Sequence, residues 1–131
     1  MDDADARALV NRWWSIWRDG DLSPIDQICA DPYLRHTGMG SERLTRAAYK
    51  ERLRLTLRVL HGAATTIDDQ VVVADPATGE TKVWTRATSR GVNLTNEGDA
   101  VITWIVIHRI ADGLIAETWA ATLSGVQWRA L

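Results

Sequence analysis

Apolar residues near the start of the chain recur at the spacing of a helix. Between Asp5 and Arg18 they return on one face, and acidic residues precede them where the positive end of a helix dipole would lie. This pattern predicts a first helix that ends near Gly20. Ser23 followed by a proline is a typical helix start and predicts a short second helix through about Ala30. Pro32 then prevents the helix from continuing.

The next segment predicts an extended stretch, a loop and a third helix. Residues 33–37 should be extended or irregular after the proline, and Gly38–Ser41 should form a loop. Thr45 can cap the third helix, which Gly62 is well placed to terminate. Its apolar face would comprise Tyr49, Leu53, Leu57 and Leu60.

The second half of the chain has the pattern of a sheet. Residues 65–75 and 81–91 predict two strands joined by a turn, and residues 93–98 a polar loop. Asp99–Leu123 predicts two further strands joined at Asp112–Gly113, a strong hairpin signal between β-branched runs. Helices first and strands afterwards predict an α+β fold, with the helices packed on one face of a curved antiparallel sheet.

Composition narrows the class of protein. A chain of 131 residues is the size of one domain, and a net charge of -2 gives no support for a nucleic-acid partner. The apolar runs are too short for a membrane span, and the acidic N-terminus is unlike a secretory signal, so we expect a cytoplasmic protein. The single Cys29 excludes an internal disulfide, and we expect it to be buried.

Aromatic usage is uneven, with seven Trp, two Tyr and no Phe. A buried indole needs space for a large ring and a partner for its N–H group. Several of these rings could therefore line a cavity rather than fill a core.

The segment from Ile107 to Trp119 resembles the closing hairpin of SnoaL-like proteins in the nuclear transport factor 2-like superfamily. In that family an arginine precedes the turn, and a glutamate and a tryptophan follow it, as Arg109, Glu117 and Trp119 do here. The resemblance covers nearly the whole chain and implies a single SnoaL-like domain over residues 1–131. It further implies a cone-shaped sheet around an apolar pocket and, by analogy, a homodimer formed through the outer face of the sheet.

Strand alternation, with the register taken from this family, predicts which side chains enter the cone. Arg86 would point inward together with Trp84 and Thr88, and alternate residues of the last two strands would do the same. The predicted substrate-binding residues are Trp17, Leu34, Trp84, Thr88, Ile102, Trp104, Thr118 and Ala120.

His36 is the first candidate catalytic residue. Residues 33–37 resemble the family segment that supplies a polar or catalytic group, which is often a histidine in SnoaL-like proteins. An imidazole titrates near neutral pH and can act as a base or an acid. The alternative is a hydrogen-bonded histidine at the corner between a helix and a loop.

Arg86 is the second candidate catalytic residue. Its position resembles that of the arginine in limonene-epoxide hydrolases, which lies between two aspartates. Thr88 and Ala120 occupy the corresponding positions here, and Ala120 also replaces the acid/base aspartate of SnoaL-type polyketide cyclases. Arg86 could still stabilise a carboxylate, enolate or carbonyl oxygen. The alternative is a solvent-facing arginine, or one paired with an acid such as Glu117.

Other chemistry has little support in the sequence. The histidines lack metal-ligand spacing and no phosphate-binding loop occurs, so we expect neither a metal nor another cofactor. We expect His108 to be a hydrogen-bonded histidine deep in the sheet, and His61 to end the third helix. The basic stripe of that helix, which comprises Arg46, Lys50, Arg54 and Arg58, should be a solvated face.

Three hypotheses remain. The first is a cofactor-independent enzyme of isomerase, dehydratase or cyclase type that moves a proton on a hydrophobic cyclic or polyketide-like molecule in a Trp-lined pocket. The alternative is a non-catalytic module of the same fold that binds a hydrophobic ligand or dimerises. Epoxide hydrolysis and a purely structural role are weaker options.

Overall fold

A computed structural model describes residues 1–93 and 98–131, with side chains for residues 1–58, 64–91 and 100–131. Most of the predicted 93–98 loop lies outside the described residues, as does the side chain of His61. The helices are α1 (Asp3–Asp19), α2 (Ile25–Ile28) and α3 (Arg46–Val59). The strands are β1 (Cys29–Thr37), β2 (Gly40–Leu44), β3 (Leu60–Ala74), β4 (Thr81–Asn93), β5 (Gly98–Ala111) and β6 (Leu114–Ser124).

Helix α1 confirms the first predicted helix. The Asp2 carboxylate accepts a hydrogen bond from the backbone N–H of Asp5 at 2.8 Å, and so caps the first turn. Gly20 ends the helix in the left-handed conformation, with φ of 71°, which glycine adopts without strain. One face is buried against the sheet and carries Ala6, Val10, Trp13, Trp14, Ile16 and Trp17.

The second helix is shorter than predicted. It stops at Ile28, because Cys29 already pairs with Ile115 in the sheet. The Ser23 hydroxyl donates to Asp21 rather than capping the helix. The Gly38–Ser41 loop is also smaller than predicted, since β2 begins at Gly40.

Helix α3 begins as predicted and ends earlier. The Thr45 hydroxyl accepts from the backbone N–H of Ala48 at 3.1 Å, and Tyr49 and Leu53 are buried on its inner face. The helix ends at Val59, and β3 begins at the next residue, before Gly62. Two residues of the basic stripe pair locally with acids, Lys50 with Asp26 and Arg54 with Glu51.

The six strands form one curved, unclosed sheet in the order β2-β1-β6-β5-β4-β3. The pairs are antiparallel except β1 with β6, which run parallel. The hairpin between β5 and β6 turns at Asp112 and Gly113 with φ of 53° and 76°, as its sequence predicts. The α+β prediction is confirmed, although the sheet is not wholly antiparallel.

Helices and sheet enclose the core on the inner face of the sheet. Val83, Ala87, Val106 and Ile115 are buried there beneath α1. The outer face is exposed to solvent in this chain. No helix within the described ranges 1–93 and 98–131 is long and apolar enough to cross a membrane.

Candidate functional site

A cavity of about 700 Å³ lies between the helices and the inner face of the sheet. Its volume is in the range that encloses a drug-sized molecule. Side chains from α1, α3, β5 and β6 line it, and the turn between β1 and β2 contributes Gly38 and Met39. Most of the wall is apolar, and its polar groups include the hydroxyls of Thr37, Thr118 and Thr122.

Tryptophan rings form one side of the cavity. Trp17 and Trp104 lie 4.9 Å apart between ring centres at an angle of 58°. The Trp104 indole N–H donates to Ser89 at 2.9 Å, and the Trp13 indole N–H donates to the Tyr49 hydroxyl at 2.8 Å. These hydrogen bonds fix the orientation of the Trp13 and Trp104 rings, so this part of the cavity wall is preformed and aromatic.

Two buried tyrosines adjoin this wall, and one of them, Tyr49, lines the cavity. The rings of Tyr33 and Tyr49 stack with centres 4.3 Å apart, and the Tyr33 hydroxyl hydrogen-bonds to Thr118. Desolvation raises the pKa of both phenols above the usual value, so both carry their protons at neutral pH. Neither tyrosine was predicted as a site residue, although Tyr33 lies in the same segment, residues 33–37, as the candidate His36.

Arg35 is the charged residue of the cavity among the described lining residues. It is the cross-strand partner of Thr118 on β6, and both side chains face the cavity because paired residues lie on the same face of a sheet. Its guanidinium lies 3.5 Å from a carboxylate oxygen of Glu42 and 5.9 Å from the ring centre of Tyr49. Glu42 also binds Arg52 at 2.6 Å, so it is shared between two cations.

His36 lies on the other face of β1, and the prediction that it enters the cone is wrong. Strand alternation turns it away from the cavity, because its neighbour Arg35 occupies the inward position. Its ring stacks on Trp119 with centres 5.3 Å apart and 9° between the planes. Leu34 aligns with Glu117 on this outer face, so its predicted place in the pocket is also wrong.

Arg86, Trp84 and Thr88 also face outward. The buried residues of β4 are their alternate neighbours Val83, Thr85, Ala87 and Ser89, so the predicted register was off by one residue. Arg86 lies 4.0 Å from Asp68 rather than beside Glu117, and the Thr88 hydroxyl donates to Asp68 at 2.6 Å. Trp84 is 47% exposed.

The structure therefore separates the two predicted catalytic residues from the cavity. His36 on β1 and Arg86 on β4 share the outer face, but β6 and β5 lie between their strands. The cavity does bring together five of the predicted substrate-binding residues, whose role in binding stays a prediction. They are Trp17, Ile102, Trp104, Thr118 and Ala120.

His108 is buried as predicted, but without the expected hydrogen bond. Its ring centre lies 4.5 Å from that of Trp13, and neither ring nitrogen has a partner among the described residues. Desolvation lowers the pKa of His108 to about 3, so the imidazole is neutral at physiological pH.

Metal-binding groups are dispersed in the described part of the chain. No three histidine, cysteine or carboxylate side chains cluster there as ligands would. Cys29 is fully buried, and desolvation raises the pKa of its thiol to about 12, which makes it unreactive at neutral pH.

A helix-covered, curved sheet around an apolar cavity defines the nuclear transport factor 2-like class of folds. The chain belongs to the SnoaL-like domain family, which matches residues 10–118. No curated protein sequence matches the chain.

Several solved structures share this fold at low identity. TsrD from Streptomyces laurentii has a TM-score of 0.77 and 22% identity, covering 93% of this chain and 90% of that protein. IdmH, a proposed polyketide cyclase from Streptomyces antibioticus, has a TM-score of 0.71 and 20% identity, covering 90% of each chain. A protein with a ketosteroid isomerase-like fold from Catenulispora acidiphila has a TM-score of 0.71 and 13% identity, with coverages of 86% and 82%.

Proposed function

We propose that the cavity binds a hydrophobic, ring-containing small molecule that carries an anionic or strongly polarised oxygen. The observation that carries this proposal is Arg35, a guanidinium on a wall whose other described residues are uncharged and mostly apolar or aromatic. A cation at a partly desolvated wall favours a ligand of opposite charge, and the tryptophan rings favour a flat apolar body. Thr118 and Thr122 add neutral hydrogen-bonding groups.

The described wall is better suited to binding than to proton abstraction. Neither a histidine nor a carboxylate is among the described lining residues, and burial holds the proton on Tyr33 and Tyr49. Of the hypotheses from the sequence, the ligand-binding module is therefore favoured over an enzyme with His36 as its base.

The second candidate is a cofactor-independent enzyme of isomerase, dehydratase or cyclase type. Arg35 itself favours it, because a guanidinium beside a carbonyl oxygen stabilises the enolate that forms when the adjacent carbon loses a proton. The name given to IdmH, a proposed polyketide cyclase, agrees with this type of reaction, although its identity to this chain is 20%.

Ligand binding can be tested by quenching of tryptophan fluorescence with anthraquinone-2-carboxylate and with uncharged anthraquinone. We expect saturable quenching by the acid, and weaker binding by about 10- to 100-fold in Arg35→Leu, which corresponds to losing one charge-assisted hydrogen bond. Binding of the uncharged ring should change little. Arg86→Leu is the matched control, since Arg86 lies on the outer face.

The same experiment separates the two candidates. Equal loss of acid binding in Arg35→Leu and Arg86→Leu, or no preference for the acid in the wild type, would contradict the role of Arg35. Carbonyl-containing ligands that bind should then be incubated with the protein and followed by mass spectrometry and proton exchange at the carbon beside the carbonyl. Proton exchange that is lost in Arg35→Leu would support the enzyme. Binding without proton exchange would support the non-catalytic ligand-binding module.

A further inference from the structure

Three polar side chains on the outer face are joined in a line. The Ser41 hydroxyl oxygen lies 2.7 Å from Nδ1 of His36, and Nε2 of the same ring lies 2.7 Å from a carboxylate oxygen of Glu117. The line crosses three neighbouring strands, β2, β1 and β6. It takes no part in the cavity or in the proposed function above.

The hydrogen bonds fix the direction in which a proton can move. An ionised carboxylate only accepts, so the proton of the neutral His36 ring must be on Nε2, which donates to Glu117. Nδ1 then carries the free electron pair, and the Ser41 hydroxyl must donate to it. A hydroxyl that donates to an imidazole, which in turn donates to a carboxylate, is the arrangement of a nucleophile, its base and the acid that orients the base.

Glu117 is held as an anion in this position. Its second carboxylate oxygen accepts from Nε of Arg109 at 2.9 Å, and Arg109 also lies 3.3 Å from Glu80. Desolvation raises the pKa of Glu117, but the hydrogen bonds from His36 and Arg109 outweigh it, and the net pKa is lowered. The carboxylate is therefore charged at neutral pH and keeps the proton of His36 on Nε2.

The surroundings of the line leave room for a substrate. Ser41 is exposed, and an apolar groove of about 240 Å³ adjoins His36, with Ile105, Ile107 and Trp119 in its wall. Because β2 is the outermost strand of the sheet, part of its backbone N–H groups face the free edge and can donate to an oxyanion. Arg43 lies two residues further on the same face of β2 as Ser41.

We propose that Ser41, His36 and Glu117 form an acyl-transfer site that hydrolyses esters with a short apolar acyl group. Ser41 Oγ attacks the carbonyl carbon while its proton moves to Nδ1 of His36. The bond to the leaving alcohol breaks, and His36 returns the proton to that oxygen, or to water when the leaving group is a stable anion. Water then attacks the acyl carbon while His36 takes its proton. The bond between that carbon and Ser41 Oγ breaks, His36 returns the proton to Oγ, and the carboxylic acid is released.

The test uses p-nitrophenyl butyrate with the full chain, followed by release of nitrophenolate. We expect Ser41→Ala and His36→Phe each to lower the rate by about 100-fold, the usual scale for loss of a positioned base, and Glu117→Gln to lower it by about 10-fold. Phe at position 36 keeps a ring stacked on Trp119. Ser41→Cys should restore acylation, seen by mass spectrometry as a butyryl group on residue 41.

Controls distinguish this site from incidental reactivity. Ser23→Ala is the matched control, because Ser23 is an exposed serine bonded to a carboxylate without an imidazole. It should hydrolyse the ester at the wild-type rate, and circular dichroism should show that all variants are folded. A Ser41→Ala rate within about threefold of the wild type would overturn the proposal, since the imidazole would then act without the serine. Equal labelling of Ser41 and Ser23 by a fluorophosphonate would also overturn it.

Discussion

His108 is a polar residue whose burial weakens the fold. A buried polar group without a partner lowers stability by about 1–3 kcal/mol, and this imidazole has two ring nitrogens without a partner among the described residues. Its contacts with Trp13 and Trp14 are edge-on ring contacts, which supply packing but no hydrogen bond. Protonation would add a charge that these surroundings cannot neutralise.

Stability should therefore depend on pH through His108. Its pKa is about 3 in the folded protein against an ordinary value of 6.5, so between these values the unfolded chain binds more protons. The contribution of neutral His108 to the free energy of unfolding is fully present above pH 6.5. It is lost as the pH falls, by roughly 2–3 kcal/mol between pH 6.5 and 4.5. Denaturant unfolding across this window measures the effect.

The variant His108→Phe isolates the contribution of His108 to the pH dependence of stability. The ring is kept against Trp13 while the titrating nitrogens are removed, so the slope of stability with pH should flatten relative to the wild type. A parallel slope in both proteins would show that other groups control the acid sensitivity. Below pH 4.5 the lowered pKa of Glu117 adds a further loss in both proteins.

The direction of side chains could be predicted for some strands and not for others. On β5 and β6 the register taken from the family placed Ile102, Trp104 and Ala120 inward, and these residues do line the cavity. On β4 the inward positions hold small or polar residues such as Thr85 and Ser89, while the outward ones include Trp84. On β4 the size and polarity of the side chains therefore favour the wrong face. Small residues fit on the inner face because Trp104 of β5 fills the space beneath β4 and donates a hydrogen bond to Ser89.

At the level of elements, the start of α1 depends on one carboxylate. Removing the cap in Asp2→Ala should lower the free energy of unfolding by about 1 kcal/mol, because the backbone N–H of Asp5 loses its partner. Asp2→Asn is the matched control, since an amide oxygen can accept the same bond and stability should be nearly kept. Equal losses in both variants would indicate that charge at this helix end matters more than the hydrogen bond.

Strand β2, which the sequence did not predict, and the early end of the predicted helix α2 both depend on tertiary contacts. Strand β2 contains glycine, serine and charged residues, and its β-structure depends on pairing with β1, as at Ser41 with His36. Likewise α2 ends early because Cys29 pairs with a strand more than eighty residues away in the chain. Local propensity carries no information on either partner.

At the level of the whole molecule, the outer face carries exposed apolar side chains in the middle of the sheet. Val71 and Trp84 are cross-strand neighbours on β3 and β4, and both are about half exposed. Charges of both signs lie beside them, including Arg86 and Asp68. A second copy related by a two-fold axis could cover this row and pair opposite charges.

We therefore expect a homodimer through this row, measured by sedimentation velocity over a range of concentrations. Trp84→Glu should shift the protein to monomer because it places a charge in the contact. Leu55→Glu is the control, since Leu55 is exposed on α3, away from the outer face of the sheet. A wild-type monomer throughout the concentration range would contradict the expectation.

The parallel pairing of β1 with β6 has a consequence for the order in which the protein is made. During synthesis β1 and β2 leave the ribosome early, but the strand that joins them to β5 is translated last of the six. Until β6 emerges, the hairpin of β1 and β2 lacks this neighbour, so no strand of the sheet connects Arg35 of β1 with Trp104 of β5. Such a late, long-range closure is a slow step in folding. The cavity can therefore form only after β6 has been translated, and a nascent chain stalled before Leu114 should bind no ligand there.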